Sequence, residues 1–284
     1  MAESFSPIAI LGPGLIGGSL ALALRQRSPA TEIRVWGRGE AALEAVRALG
    51  FAAIVDADLA AVVTGAQCVA LCTPVETMPE LAARITPHLS AHAVVTDAGS
   101  VKGSVVADCE SILGERFVGA HPIAGSDRNG IAAAAADLYD GATCVLTPTS
   151  RTSAAALETA RALWQTVGCH LLEMSPESHD AALARTSHLP HAVASALAAT
   201  VARAIPDWPQ LAGGGYRDST RIALGHPDLW TGILLANRGE ISTSIAELTE
   251  ILQNIRAALE SGDANTIRAL LAEGCSARQK FDVL

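Results

Sequence analysis

The stretch Gly12-Pro13-Gly14-Leu15-Ile16-Gly17-Gly18-Ser19 constrains the fold more than any other part of the chain. It follows a short apolar run, Pro7 to Leu11, and precedes a helical pattern from Leu20 to Arg27. That is GxGxxG in the context its physics demands, a strand leading into a tight turn and a helix whose N-terminus faces a phosphate. The first glycine permits the turn, the second lets backbone approach a pyrophosphate, and the third lets helix and strand pack closely. Gly12, Gly14, Leu15, Ile16 and Gly17 are therefore expected cofactor contacts. A ligand-free glycine turn is the alternative for the hexamer alone; the flanking strand and helix favour a dinucleotide.

The next strand, Glu32 to Trp36, runs into Trp36-Gly37-Arg38-Gly39-Glu40. An NAD site wants an acidic residue about 20 positions beyond the fingerprint, on the ribose 2′-hydroxyl. An arginine between glycines suits a 2′-phosphate better, so NADP is the expected cofactor and NAD the alternative. In that alternative Arg38 is a solvated surface residue and Glu40 reaches the ribose. Alternation then continues through a helix from Ala41 to Leu49, a strand from Phe51 to Ile54, a helix near Leu59 to Val63 and a strand from Gln67 to Cys72. The pattern predicts an α/β fold with a doubly wound sheet. Thr73 and Pro74 fall at a strand's carboxyl end, where open α/β sheets keep their ligands, and join the expected cofactor contacts.

A helix from about Val75 to His88 leads to a strand from Ala93 to Thr96, and then to Asp97-Ala98-Gly99-Ser100-Val101-Lys102-Gly103. Ser100 either caps the following helix or acts at the strand end. Phe117 to Ala120 delivers His121 to the same edge. A lone histidine is commonly a satisfied structural group, but at the edge where a nicotinamide is expected a neutral imidazole is the usual proton acceptor. Strands from Thr143 to Thr147 and from His170 to Met174 flank a helix from about Ser153 to Val167. The first domain is expected to span residues 1–174.

Beyond it the pattern is helical only, giving a second domain over 175–284. Pro176-Glu177-Ser178-His179-Asp180 opens a long helix in which Pro190 should force a kink. His188 and His191 share a face, whereas regular helical phase turns His179 roughly opposite to His188. No zinc site is expected, since no carboxylate or thiol joins the two same-face histidines. Gly213 to Arg221 forms a glycine-rich entry to a helix carrying Arg217 and Arg221. Arg221 either pairs with Asp218 or helps grip a dicarboxylate. Helices follow over about Leu229 to Arg238, Ile241 to Glu260 and Ala264 to Ala272. Their apolar faces exceed what one small domain covers, which predicts subunit packing.

Composition narrows the partners. At 284 residues with net charge -9 and no charge blocks, the chain offers no basic surface for nucleic acid. Its six cysteines form no CxxC pair and read as buried reduced thiols. No leader pattern and no apolar run of ~18 residues is present, so a cytoplasmic location without membrane association is expected.

Together, Gly12 to Ser19, Asp97 to Lys102, Gly119 to Gly125, Ser187-His188-Leu189-Pro190-His191-Ala192, Gly213 to Arg221 and Trp230 resemble the prephenate and arogenate dehydrogenases of tyrosine biosynthesis. The resemblance implies a Rossmann domain followed by a helical dimerisation domain, and a homodimer. It implies oxidative decarboxylation of a cyclohexadiene: hydride goes to the nicotinamide, the 4-hydroxyl proton to a base, and the ring carboxylate leaves as carbon dioxide. His121 matches the general base and Ser100 the serine that bonds the substrate hydroxyl and orients that histidine. His191 and Arg221 match substrate-binding positions, His188 a supporting histidine, and Gly215, Asp218 and Trp230 the rim. The loop after the His121 strand departs from relatives and reads Ser126-Asp127-Arg128-Asn129-Gly130. A neutral Asn129 favours prephenate, whose side chain carries a keto group; an acidic Asp127 favours arogenate, whose side chain carries an ammonium. The chain is expected to be monofunctional. Two-domain 3-hydroxyacid dehydrogenases resemble it in outline but use a lysine on a second-domain helix, and none lies between Lys102 and Lys280. A non-catalytic NADP-binding sensor is the rival from another class, opposed by Ser100, His121, His191 and Arg221 occurring together.

Overall fold

The computed structural model describes residues 4–126, 128, 130–205 and 209–281. Short apolar runs supply the strands and alanine-rich segments the helices between them: β1 (Ile8–Leu11), α1 (Leu15–Arg27), β2 (Ile33–Trp36), α2 (Glu40–Leu49), β3 (Ile54–Asp56), α3 (Leu59–Val63) and β4 (Cys68–Leu71). The chain continues through α4 (Met78–Ile85), β5 (Val94–Asp97), α5 (Gly103–Leu113), β6 (Phe117–Pro122), β7 (Thr143–Thr147), α6 (Ala154–Thr166) and β8 (His170–Glu173). The strands form one sheet in the order β3-β2-β1-β4-β5-β6-β7-β8. Neighbours are parallel except β6 and β7, which run antiparallel.

Both faces of the sheet are covered, so its central strands are apolar throughout rather than alternating with polar residues. Strand periodicity still sorts them. Ile8 and Ile10 enter the core under α1 and α6 with Leu20, Leu24, Leu163 and Trp164. Ala9 and Leu11 face the other way, into the core under α3, α4 and α5 with Val62, Met78, Leu81 and Val106. The order reverses between β1 and β4, and the crevice there is where open α/β sheets hold ligands. The expected strand at Phe51 to Ile54 is displaced to Ile54–Asp56 because Gly50 closes α2 in the left-handed region, at φ 66°.

No strand follows Glu173 among the described residues. The chain runs on as α7 (Pro176–Leu183), a π-helical turn (Ala184–His188), α8 (Leu189–Ala204), α9 (Gly214–Thr220), a 3-10 turn (Arg221–Leu224), α10 (Pro227–Ala236), α11 (Arg238–Ser261) and α12 (Ala264–Lys280). Contacts divide it into two compact units, one ending at Asn237 and one beginning at Arg238. The packing boundary thus lies beyond residue 174. Asp180 accepts hydrogen bonds from Lys102 N and Gly103 N, and Asn237 donates to Asp180 O, which seals α7 to α10 onto the sheet-bearing unit. In the second unit, Asp263 caps α12 by accepting from Asn265 N and Thr266 N. That unit exposes Leu252, Leu259, Leu271 and Phe281. No described helix is long and apolar enough to cross a membrane.

The kink expected at Pro190 takes another form. Proline sits in the first turn of α8, and the π turn before it absorbs the break in the hydrogen-bond ladder.

Candidate active site

The glycine turn between β1 and α1 is built for close approach. Gly12 adopts φ +107°, and a Cβ there would lie 2.7 Å from Cys72 O. At Gly17 a Cβ would fall 2.2 Å from Gly12 O, whereas nothing lies within 4 Å of one at Gly14. The first and third glycines therefore close the turn, and the second leaves its open side free for a ligand. Gly12, Gly14, Trp36, Gly37, Arg38, Thr73 and Pro74 are among the walls of a cavity of about 640 Å³. A second cavity of about 330 Å³ adjoins it, lined by Gly14, Leu15, Ile16, Thr73, Pro74, Ser100, Ala124, Gly125 and Ser126 among others. These residues fit a dinucleotide: open glycine backbone, a helix N-terminus and an arginine at the far end. Glu40 is ion-paired with Arg47.

The segment after β6 folds back onto this turn. Ile131 packs where a Cβ on Gly18 would sit, Ala135 N donates to Ser19 Oγ at 3.0 Å, and the Tyr139 hydroxyl donates to Ile16 O at 2.6 Å. Residues 131–139 are thereby anchored to α1.

His121 lies at the end of β6, paired with Val145 of β7 and only 8% exposed. Its Nδ1 is 2.8 Å from His179 Nε2, and His179 Nδ1 is 2.8 Å from Asp180 Oδ1. The Asp180 carboxylate accepts, so His179 donates from Nδ1, and the tautomer that does so carries a lone pair on Nε2. His121 must then donate from Nδ1, which leaves its own Nε2 as a bare acceptor. Among the described residues nothing hydrogen-bonds that nitrogen. Burial, then His179, Lys102 and His188, hold the His121 imidazole well below its ordinary 6.5, in the neutral form a base requires. Burial pushes Asp180 up, but bonds from His179, Lys102 N and Gly103 N outweigh it and hold the carboxyl below its usual range.

His188 is buried beside this chain. Its Nδ1 accepts from Asn237 Nδ2 at 3.2 Å, and burial drives its pKa down to about 4 against the pull of Asp180. His191 stacks on Trp230 at 3.5 Å with the rings 11° apart. Its Nδ1 has no partner among the described residues. Gly225 allows the stack, since a Cβ there would lie 2.4 Å from Trp230 Nε1 and 2.9 Å from His191 Cε1.

Residues 20–173 match the model of the prephenate dehydrogenase nucleotide-binding domain, and residues 175–273 that of the prephenate dehydrogenase dimerization domain. The chain belongs to the prephenate dehydrogenase family. It is 37% identical over 275 residues to a prephenate dehydrogenase of Bacillus subtilis, covering 94% of this chain and 74% of the relative. It is 33% identical over 279 residues to a cyclohexadienyl dehydrogenase of Zymomonas mobilis, covering 96% and 95%. Among solved structures it resembles prephenate dehydrogenase from Aquifex aeolicus in complex with hydroxyphenyl propionate and NAD+, with TM-score 0.91, 33% identity and coverage of 99% and 98%. The chain is thus an oxidoreductase of the prephenate dehydrogenase family with a nucleotide-binding sheet and a helical C-terminal part.

Within this prephenate dehydrogenase family member, the remaining expected substrate-site residues fall into three groups. Ser100 lines the inner cavity, and its main chain also faces His188. It does not cap α5, which begins at Gly103 and takes its cap from Asp180 instead. Gly215, Asp218 and Arg221 are exposed on α9 and the following 3-10 turn, outside both cavity walls, although that turn packs against the helix carrying His191. Asp127 and Asn129 lie outside the described residues. Sequence reasoning missed His179, placing it opposite to His188 by regular helical phase. The π turn between them alters that phase, and both rings are buried. It also missed Asp180 and Asn237. The His-Asp pair in the first turn of α7 was the available signal for the first two.

Proposed function

We propose that the protein oxidises prephenate to 4-hydroxyphenylpyruvate with loss of carbon dioxide, using NADP. The observation that carries this is the His121 imidazole, held neutral with Nδ1 committed to His179 and Nε2 bare, at the strand end beside the dinucleotide crevice. The nicotinamide, when bound, accepts hydride. His121 Nε2 takes the 4-hydroxyl proton, and Ser100 bonds that hydroxyl and orients the histidine. The ring carboxylate leaves as carbon dioxide while the ring becomes aromatic, so the protein supplies chiefly orientation and one proton acceptor. His191, stacked on Trp230, is assigned a substrate contact. Arg221 clamps a carboxylate, with Gly215 and Asp218 at the rim, and we assign the choice of side chain to Asp127 and Asn129 by their chemistry alone.

Arg38 in the outer cavity, with Glu40 tied to Arg47, supports NADP over NAD. Asp127 supports arogenate as a second substrate, since it can meet an ammonium. The exposed leucines of residues 238–281, in a segment largely matched by the family's dimerization domain, support a homodimer. We place the working division at 1–174 for the cofactor and 175–284 for substrate and subunit contacts, in a cytoplasmic enzyme.

Initial rates with prephenate and arogenate, each against NAD and NADP and with or without tyrosine, test this reading. Prephenate-dependent NADPH formation is the expected result. Its absence with every pairing returns the sensor reading, and equal rates with both nucleotides defeat the role given to Arg38.

A further inference from the structure

We propose that the buried Asp97–Lys102 pair is a positioning device for His121, gripping the Ala120 peptide from the side that β5 abandons. Strands β5 and β6 pair only through Val95 with Phe117 and Thr96 with Val118. From Gly119 onward β6 is in register with β7 alone. A strand sends successive N–H and C=O groups to alternate sides, so one side of β6 loses its ladder partner just before the histidine. Two side chains take over there. Ala120 N donates to Asp97 Oδ1 at 2.9 Å, and Lys102 Nζ donates to Ala120 O at 2.8 Å. Asp97 Oδ2 accepts from Gly99 N at 2.8 Å and is ion-paired with Lys102.

The same lysine closes a circuit. Lys102 N donates to Asp180 Oδ1, Asp180 holds His179, His179 holds His121 Nδ1, and the peptide joining His121 to Ala120 returns to Lys102 Nζ. One residue thus fixes the histidine through its backbone at one end and through its ring at the other. Gly119 makes room: a Cβ there would lie 2.6 Å from Val106 Cγ2 and 3.5 Å from Lys102 Cδ. Both charged side chains are fully buried. A buried ion pair is poor evidence for stability, because desolvation offsets its attraction; fixing one geometry is the better-supported use. The titratable and charged groups facing His121 are His179 from α7, His188 from the π turn, Lys102 from the turn before α5 and, beyond them, Asp97 and Asp180. Among these the lysine ammonium helps keep the imidazole neutral.

The proposal rests on His121 being the base, and the test separates the two. Lys102→Met keeps the buried stem and removes the ammonium, and Asp97→Asn with Lys102→Met removes both charges. Prephenate-dependent rates across pH, with nucleotide affinity from fluorescence, are measured for native protein and both variants. We expect kcat to fall by about 10- to 100-fold, with KM for both substrates changed by less than about threefold. The acid limb of the Lys102→Met profile moves to higher pH, because losing a neighbouring cation raises the His121 pKa; the double variant moves less. Folded variants with native kcat and acid limb, or with a loss confined to KM, overturn the proposal. Should the variants not fold, the native protein decides. Lys102 and Lys280 are the only lysines, so lysine labelled with 15N at Nζ gives two signals. The Lys102 signal must shift as His121 titrates and lose that step in His121→Asn; a signal blind to His121 overturns the proposal. Native protein that fails to turn over prephenate but keeps this coupling sinks the functional reading and leaves the clamp.

Discussion

At the scale of the residue, the decisive fact about His121 is which nitrogen is bare. A carboxylate that can only accept, two links away, sets both tautomers in turn, so Asp180 acts on the bare nitrogen of His121 through His179. His121→Asn keeps the nucleotide site but should lower kcat by about two orders of magnitude or more. Near-native turnover in that variant identifies a different base. The depressed pKa carries a sign. A base works deprotonated, so the rate is full above the His121 pKa and falls as pH drops through it. Because burial and its neighbours hold that value well below 6.5, the acid limb of kcat/KM belongs below 6.5. A limb at or above 6.5 shows that the group titrating in the free enzyme is another one.

At the scale of the element, Asp180 joins helices that lie 77 residues apart in the chain. Its carboxylate caps α5 from outside, satisfying Lys102 N and Gly103 N where α5 has no side-chain cap of its own. Asp180→Ala leaves the buried Lys102 N and the half-buried Gly103 N without that partner and should cost about 1–3 kcal/mol in urea unfolding. The same change frees His179 to hold its proton on Nε2, so kcat falls further than stability explains. Equal kcat in the folded variant argues against the relay. This element also marks the limit of what the sequence makes legible. The strands could be read because apolar runs of fixed length between glycine turns allow little else, and β7 and α3 fall on the expected residues. Gly12, Gly14, Arg38, Thr73 and Ser100 reach the crevice because strand ends in a parallel sheet share one edge. The pairing of His121 with His179 could not be read, since spacing orders only neighbours on one helix and a π turn shifts even those. Asp97 and Lys102 were visible as a motif, but a bond to Ala120 depends on where β5 and β6 part.

At the scale of the whole molecule, the site makes the fold sensitive to acid. His121, His188 and His191 are all held below the ordinary imidazole value, chiefly by burial. In the unfolded chain each protonates near 6.5, while the folded protein refuses the proton, so stability is full above 6.5 and falls as pH decreases. For His188 the fall extends from 6.5 down to about 4. Within that window one such group contributes a slope of about 1.4 kcal/mol per pH unit. Asp180 acts in the next window. Its folded pKa lies below 3.8, so its stabilisation is present above 3.8 and lost as pH falls through the folded value. The urea midpoint should therefore decline steadily from pH 6.5 downward rather than breaking only in the carboxylate range. His188→Gln, which cannot take up a proton when unfolded, should flatten the upper part of that decline while leaving the carboxylate part in place. An unchanged slope in His188→Gln, or a native midpoint flat from pH 6.5 to about 4, removes His188 from the cause. The burial that holds these imidazoles neutral is the same property that gives the fold its acid limit.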